Sequence, residues 1–324
     1  MLIANQVLVI TGASSGIGLA TAKEAARRGA KVVLAARNER DLSHAAEEIE
    51  REGGTAIAVP TDVTRPEDVE ALARRAVERF GRIDAWINNA GLSVYGSFDE
   101  IPPDDFRRVI DVVFMGQVHG ARAALPHLEK TGGALICVGS GVSEQGLPLQ
   151  SPYSAAKAAV EGWADALRVE LLHRRSPVRV TLIKPSSINT PFFSKAKTYL
   201  GVEPRPIPPV YEPEVIAEAI LRAAEGDERE IRIGAGAAAL AVGERTAPRL
   251  LDRYLARTAT RQQMSSWPKR PHDRNNLYEP PEDDGGMRGD FAGETIAPRR
   301  ARRASLALPL LAGVAALVLF ARRR

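Results

Sequence analysis

With 324 residues, 44% of them hydrophobic and 26% charged, the chain has the apolar content of a large buried core, which excludes wholesale disorder. Seven arginines and no acidic residue lie from Thr295 onward, so of the formal net charge of +4 residues 1–294 carry −3. A mildly acidic body lacks the basic face that a phosphate backbone requires, so no nucleic acid is expected. The single cysteine, Cys137, excludes an internal disulfide, and the five scattered histidines lack metal-ligand spacing, so no metal is expected.

The N-terminus, MLIANQVLVITG, enters a strand pattern directly, without the basic and apolar regions of a signal peptide. Apolar, β-branched runs predict strands at 6–11, 31–36, 55–60, 85–88, 134–138, 179–183 and 230–233. Helical periodicity fills the intervals at 17–28, 40–52, 66–80, 104–128, 152–174 and 214–225. Near-continuous apolar strands alternating with helices imply a parallel sheet covered on both faces, a Rossmann-type doubly wound α/β fold of about seven strands. Residues 1–235 form the expected dinucleotide-binding catalytic domain. Residues 236–266 read as a helical arm with Leu250, Leu251, Tyr254 and Leu255 on one face, packed on the domain or on a sister subunit. Residues 267–303, rich in Pro, Gly and charge, read as a flexible tether.

The first strand leads into Gly12, Gly16 and Gly18 and then a helix. Glycines there permit a tight turn and close approach to a pyrophosphate, whose charge the N–H groups of the helix start can meet. TGASSGIG at 11–18, TDV at 61–63, NNAG at 88–91 and YSAAK at 153–157, in that order, resemble the motifs of the short-chain dehydrogenase/reductase family over about residues 5–235. The resemblance implies an NAD(P)-dependent oxidoreductase acting on CH–OH and C=O groups. It implies a cofactor site of Gly12, Ser14, Ser15, Gly16, Ile17, Gly18, Asp62, Val63, Asn89, Ala90, Gly91, Pro185, Ile188 and Thr190, joined by Tyr153 and Lys157. In it Asp62 contacts adenine, and Ile188 and Thr190 lie near the nicotinamide carboxamide. Arg37 follows the second strand where an acid would repel a 2′-phosphate, so NADP(H) is expected over NAD(H).

Hydride transfer at a carbonyl carbon needs a proton at its oxygen. A phenol is a poor base near neutrality, and Tyr153 and Lys157, four apart on a helix, share a face on which the ammonium can favour phenolate. Tyr153 is the expected acid/base and Lys157 its tuner; by resemblance Lys157 also holds the nicotinamide ribose and Ser140 polarises the substrate carbonyl, with Ser143 as the competing serine. One departure stands out: Val113 occupies the place of a family asparagine that anchors a water linked to the lysine, and Gln117, one turn on, is a substitute by spacing. A weak or inactive cofactor-binding scaffold or redox sensor is the alternative reading. After the sixth strand, Ser186 replaces the family's usual glycine. Phe192, Phe193, Tyr199 and Leu200 fall in the segment that covers substrate in this family; they either line an apolar pocket or pack the lid.

Residues 305–321 are free of charge and are bracketed by arginines on both sides. As a helix they would reach roughly 26 Å, enough for a single C-terminal span at about 304–321, in contact with the lipid bilayer. Basic flanks favour a catalytic domain facing the cytoplasm, and a tether of about 36 residues would reach roughly 30–36 Å if flexible. The expected substrate is then a lipophilic carbonyl or alcohol. Family resemblance implies a homodimer or homotetramer through the helices at 104–128 and 152–174.

Overall fold

A computed structural model describes residues 2–283 and 285–296. Seven strands, β1 (Val7–Thr11), β2 (Lys31–Ala36), β3 (Thr55–Pro60), β4 (Ala85–Asn88), β5 (Ala134–Val138), β6 (Arg179–Pro185) and β7 (Glu230–Ile233), form one sheet in the order β7-β6-β5-β4-β1-β2-β3. Every pairing in it is parallel. The order reverses between β1 and β4, which opens a crevice beyond their carboxyl ends. Within β1, Leu8 and Ile10 enter one apolar cluster and Val7 and Val9 another, so the strand is buried on both faces. That two-sided burial is why the strands read as unbroken apolar runs.

Helices α1 (Gly16–Arg27), α2 (Glu39–Arg51) and α3 (Pro66–Phe80) follow the first three strands. Asn38 caps α2 by accepting from the Asp41 N–H, and Gly81 ends α3 in the left-handed conformation. The helix expected at 104–128 is α4 (Pro103–Ile110), a π-helical turn Asp111–Met115, and α5 (Gly116–Thr131). The inserted π turn rotates everything after it about the helix axis. Helices α6 (Ser151–His173) and α7 (Pro213–Glu225) complete the layers. Lys184 of β6 is fully buried, with its Nζ at 2.7, 2.6 and 3.0 Å from Glu144, Glu161 and Glu230. Its ammonium sits at the centre of that acidic cluster.

The arm consists of α8 (Ala235–Thr246) and α9 (Pro248–Gln262). Beyond it, the expected tether is corrected by the structure as far as it is described. Met264–Pro268 pairs antiparallel with Val202–Pro204, and Thr295–Ile296 pairs parallel with Val210–Tyr211. Residues 269–283 and 285–296 form a strap on the domain, with Leu277 at 0% and Phe291 at 6% exposure. The strap is poor in apolar residues, so its order comes from the body: the Arg108 guanidinium donates to Leu277 O, and the Phe291 N–H donates to Asn189 Oδ1. Among the described residues no helix is long and apolar enough to cross a membrane; the expected span at 304–321 lies outside them.

The α5 contact with the sheet is close. A Cβ at Gly120 would lie 2.1 Å from Asn88 Oδ1 and 2.8 Å from Trp86 Nε1, both buried. Gly120→Ala is therefore expected to destabilise the fold by about 1–3 kcal/mol, read as a fall of several degrees in thermal midpoint. An unchanged midpoint would mean that α5 withdraws freely.

Candidate active site

β1 ends in Thr11, whose hydroxyl donates to Ile87 O and accepts from the N–H groups of Asn89 and Ala90. The turn that follows has no room for a Cβ at Gly12 or Gly18. Gly12 has φ +68°, and a Cβ there would lie 2.8 Å from Ala90 Cα; one on Gly18 would lie 2.2 Å from Gly12 O. Asn89 Nδ2 closes the junction by donating to Thr11 O at 2.9 Å. In the same motif Asn88 accepts from Trp86 Nε1 and donates to Gln117 O, fixing α5 against β4.

At the end of β5, Ser140 caps a short 3₁₀ turn, its hydroxyl accepts from the Val142 N–H, and it borders the same cavity as the Tyr153 phenol. Ser143 turns away from that phenol and donates to Ser140 O. Tyr153 and Lys157 project from the first turns of α6. Burial pushes the Tyr153 phenol up to about 12, and the Ser140 hydroxyl opposes it. Burial drives the Lys157 ammonium down to about 7, with Cys137 opposing. Lys157 Nζ donates to Val138 O at 2.6 Å and lies 5.5 Å from the centroid of the Tyr153 ring. The lysine thus stands beside the phenol as expected from the sequence, while burial acts on both groups against their charged forms.

Val113 is fully buried within the π turn, where it offers only methyl groups. Gln117 reaches the same neighbourhood. Its Nε2 donates at 3.1 Å to the Val138 carbonyl that Lys157 uses, and its buried Oε1 has no partner among the described residues. The π turn has no sequence signature, so spacing alone could point to Gln117 but not fix its direction.

Ser140, Tyr153 and Lys157 line one cavity of about 590 Å³. It is bordered by Gly12, Ser14, Ser15, Gly16, Ile17, Arg37, Asp62, Val63, Asn89, Ala90, Gly91, Ser140, Tyr153, Lys157, Pro185, Ile188 and Thr190. Gly18 is the one expected cofactor residue outside that lining, and its place is the packing against Gly12. Asp62 is held below the ordinary carboxylate value: burial acts to raise it, but two hydrogen bonds from Thr64 and the Arg108 guanidinium prevail. Arg37 donates to the carbonyls of Tyr278 and Asn276 at 2.6 and 2.5 Å.

Phe192 and Phe193 border the cavity, and Phe192 meets Tyr153 edge-on at 5.5 Å. Tyr199 instead donates to Asp105, and Leu200 packs beside the Phe193 cluster, so both belong to the lid's attachment. Sequence reasoning missed the roof: Leu240 of α8 and Leu251, Tyr254 and Leu255 of α9 line the cavity, as do Asn276, Pro280 and Pro281 of the strap. The amphipathic face of α9 was a signal for the former; the strap's composition hid the latter. Tyr95 also borders the cavity, and its fully buried hydroxyl lacks a partner among the described residues.

A sequence model of the family described as short chain dehydrogenase matches residues 6–200. An uncharacterized oxidoreductase of Bacillus subtilis, YxnA, is 44% identical over 278 residues, covering 85% of this chain and 78% of that one. An 11-beta-hydroxysteroid dehydrogenase of Sesamum indicum is 34% identical over 240 residues, covering 71% and 68%. Among solved structures, an alcohol dehydrogenase of Thermococcus sibiricus complexed with 5-hydroxy-NADP has a TM-score of 0.61 at 30% identity, covering 70% of this chain and 94% of that one. A short-chain dehydrogenase/reductase of Burkholderia phymatum in complex with NAD has a TM-score of 0.58 at 31% identity, covering 60% and 70%.

The lowered Lys157 value has a stability consequence. An unfolded lysine holds its proton up to the ordinary value of 10.5, whereas the folded one releases it near 7. Across that window the unfolded chain binds more protons, so stability rises with pH; the raised Tyr153 value acts in the opposite sense only above its ordinary value of 10. Between about pH 7 and about pH 9.5 the ligand-free wild type should gain roughly 2–3 kcal/mol relative to Lys157→Met in urea unfolding. A constant difference would place Lys157 in contact with solvent.

Proposed function

The chain belongs to the short-chain dehydrogenase/reductase family, and from that premise we propose that it interconverts a lipophilic carbonyl and alcohol, with NADP(H) as the preferred partner. The observation that carries this reading is the convergence of Ser140, Tyr153 and Lys157 in the cavity that the Gly12–Gly18 turn also borders. The residues present fit a dinucleotide: a turn whose Gly12 and Gly18 leave no room for a Cβ, the helix start of α1, and Arg37 and Asp62 at the far side. When bound, the cofactor supplies or accepts the hydride. Tyr153, protonated by its burial, delivers a proton to the carbonyl oxygen, and Ser140 holds that oxygen by a hydrogen bond. Lys157 is the ribose-holding group and the next proton source behind Tyr153.

Gln117 takes the part that Val113 cannot. Its carboxamide fixes the Val138 carbonyl shared with Lys157, and its unpaired Oε1 is an acceptor for a water that returns protons to the lysine. The intact reacting groups and this substitute favour an enzyme over an inert scaffold. The guanidinium of Arg37 at the cavity edge supports NADP(H), since it attracts a 2′-phosphate that an acid would repel. An apolar surround built from Phe192, Phe193, Leu240, Leu251 and Leu255 supports a lipophilic substrate, as does likeness to a relative named for a hydroxysteroid. The Tyr95 hydroxyl is the donor available to a second oxygen on that substrate.

The assay is NADPH and NADH consumption over a panel of hydrophobic aldehydes and ketones. Tyr153→Phe should reduce turnover by about 10³-fold or more with cofactor binding retained, and NADPH should be favoured over NADH. Gln117→Leu should lower kcat about 5–10-fold with little change in KM. Full activity in Tyr153→Phe would remove the mechanism; an unchanged kcat in Gln117→Leu would remove only the relay.

The uncharged run at 305–321 supports anchorage to a bilayer with the catalytic domain on the cytoplasmic side. A chain ending at residue 298 should stay in the supernatant when the full chain sediments with membranes. Sedimentation of both would exclude this anchor.

A further inference from the structure

We propose that the strap completes the dinucleotide site: it closes over the adenosine half of the cofactor, and Asn276 contacts the nucleotide. The inference rests on the reading that this cavity binds NAD(P). The family match ends at residue 200, so the strap lies beyond the part of the chain that defines the family.

Two sides of the cleft are tied to the strap. On the side that follows β2, Arg37 donates to the carbonyls of Asn276 and Tyr278, while Asn38 Nδ2 donates to Pro281 O at 2.8 Å. At the phosphate turn, the Gly16 N–H donates to Gly286 O at 3.0 Å. The strap is latched outside the cavity as well: Tyr278 Oη donates to Asp105 Oδ1 at 2.9 Å, and Arg108, which also pairs with Asp62, donates to Leu277 O at 3.1 Å.

Asn276 is the side chain that gives this cover a chemical purpose. It borders the cavity together with Arg37, Thr61 and Asp62, and only 9% of it is exposed. Its Oδ1 is buried without a hydrogen-bond partner among the described residues. A carboxamide oxygen is unfavourable in that condition unless a donor arrives. The adenosine half carries such donors in its ribose hydroxyls and the adenine amino group. The carbonyls of Asn276 and Tyr278 meanwhile set the plane of the Arg37 guanidinium, so the strap aligns the group proposed to meet the 2′-phosphate. A bound dinucleotide would therefore be enclosed between the sheet's edge and the strap, and its release would require the strap to lift.

The test uses the full-length protein in detergent, NADPH titrated by its fluorescence, release followed by stopped flow, and hydrogen exchange of residues 274–290 with and without NADPH. Asn276→Ala should weaken NADPH binding about 5–10-fold, mostly through faster release. Tyr278→Phe, which removes only the latch to Asp105, should speed release about 2–5-fold. In the wild type, which needs no substitution to report, strap amides should exchange more slowly once NADPH is bound. Wild-type affinity and release in both variants, with strap exchange unchanged by NADPH, would overturn the proposal while leaving the oxidoreductase reading intact. Tighter binding in Asn276→Ala would also overturn it, because the strap would then be a plug. Failure of the wild type to bind either NADPH or NADH would overturn the oxidoreductase reading and the strap's role with it.

Discussion

The dinucleotide cleft depends on how closely the turn after β1 can approach the exit of β4. Gly12 and Gly18 leave no space between them or against Ala90 and Asn89, and the Thr11 hydroxyl stitches the two strand ends together. This contact holds the start of α1 at the carboxyl edge of the sheet, where the strand order reverses. Ser140, Tyr153 and Lys157 arrive at the same edge by a separate route, through the end of β5 and the first turns of α6. Parallel strands make the coincidence possible, because every one of them delivers its following loop to the same side.

Burying Lys157 and Tyr153 together costs stability. The lysine makes one hydrogen bond to a carbonyl that a glutamine also occupies, and its proton is loosened rather than fixed. Lys184 is the contrast: equally inaccessible, but surrounded by three carboxylates that outweigh the effect of burial and hold its proton more firmly. One buried ammonium is satisfied and structural, the other is under-satisfied beside a cavity. A perturbed group that its surroundings do not repay marks chemistry more reliably than burial does.

The sheet was legible because its signal is local: two-sided burial writes itself as runs such as VLVIT and ALICV, and the intervening helices carry an apolar period. The shared face of Tyr153 and Lys157 was legible because an i, i+4 pair on a helix fixes its own geometry. The π turn at Asp111–Met115 was not, since the same apolar residues serve an α-helix, and with it went the direction of Gln117. The strap was misread for a different reason. Its Pro, Gly and charge cannot build a core, yet Leu277 and Phe291 need only two sites on a core already built, and the hydrogen bonds that order it come from residues far away in sequence. Tertiary order of that kind leaves no periodic trace in the segment itself.

The bond between Arg37 and Tyr278 spans 241 positions. The entropy of closing so long a loop grows only slowly with length, by about 0.6 kcal/mol per doubling, so distance along the chain is little obstacle once the body has formed. It does fix an order in time. During synthesis the turn after β1 leaves the ribosome early, whereas residues 276–286 emerge after every strand of the main sheet. A nascent protein therefore presents an unroofed cleft only between the emergence of β7 and that of the strap. A nucleotide captured in that interval would be covered by the strap that follows.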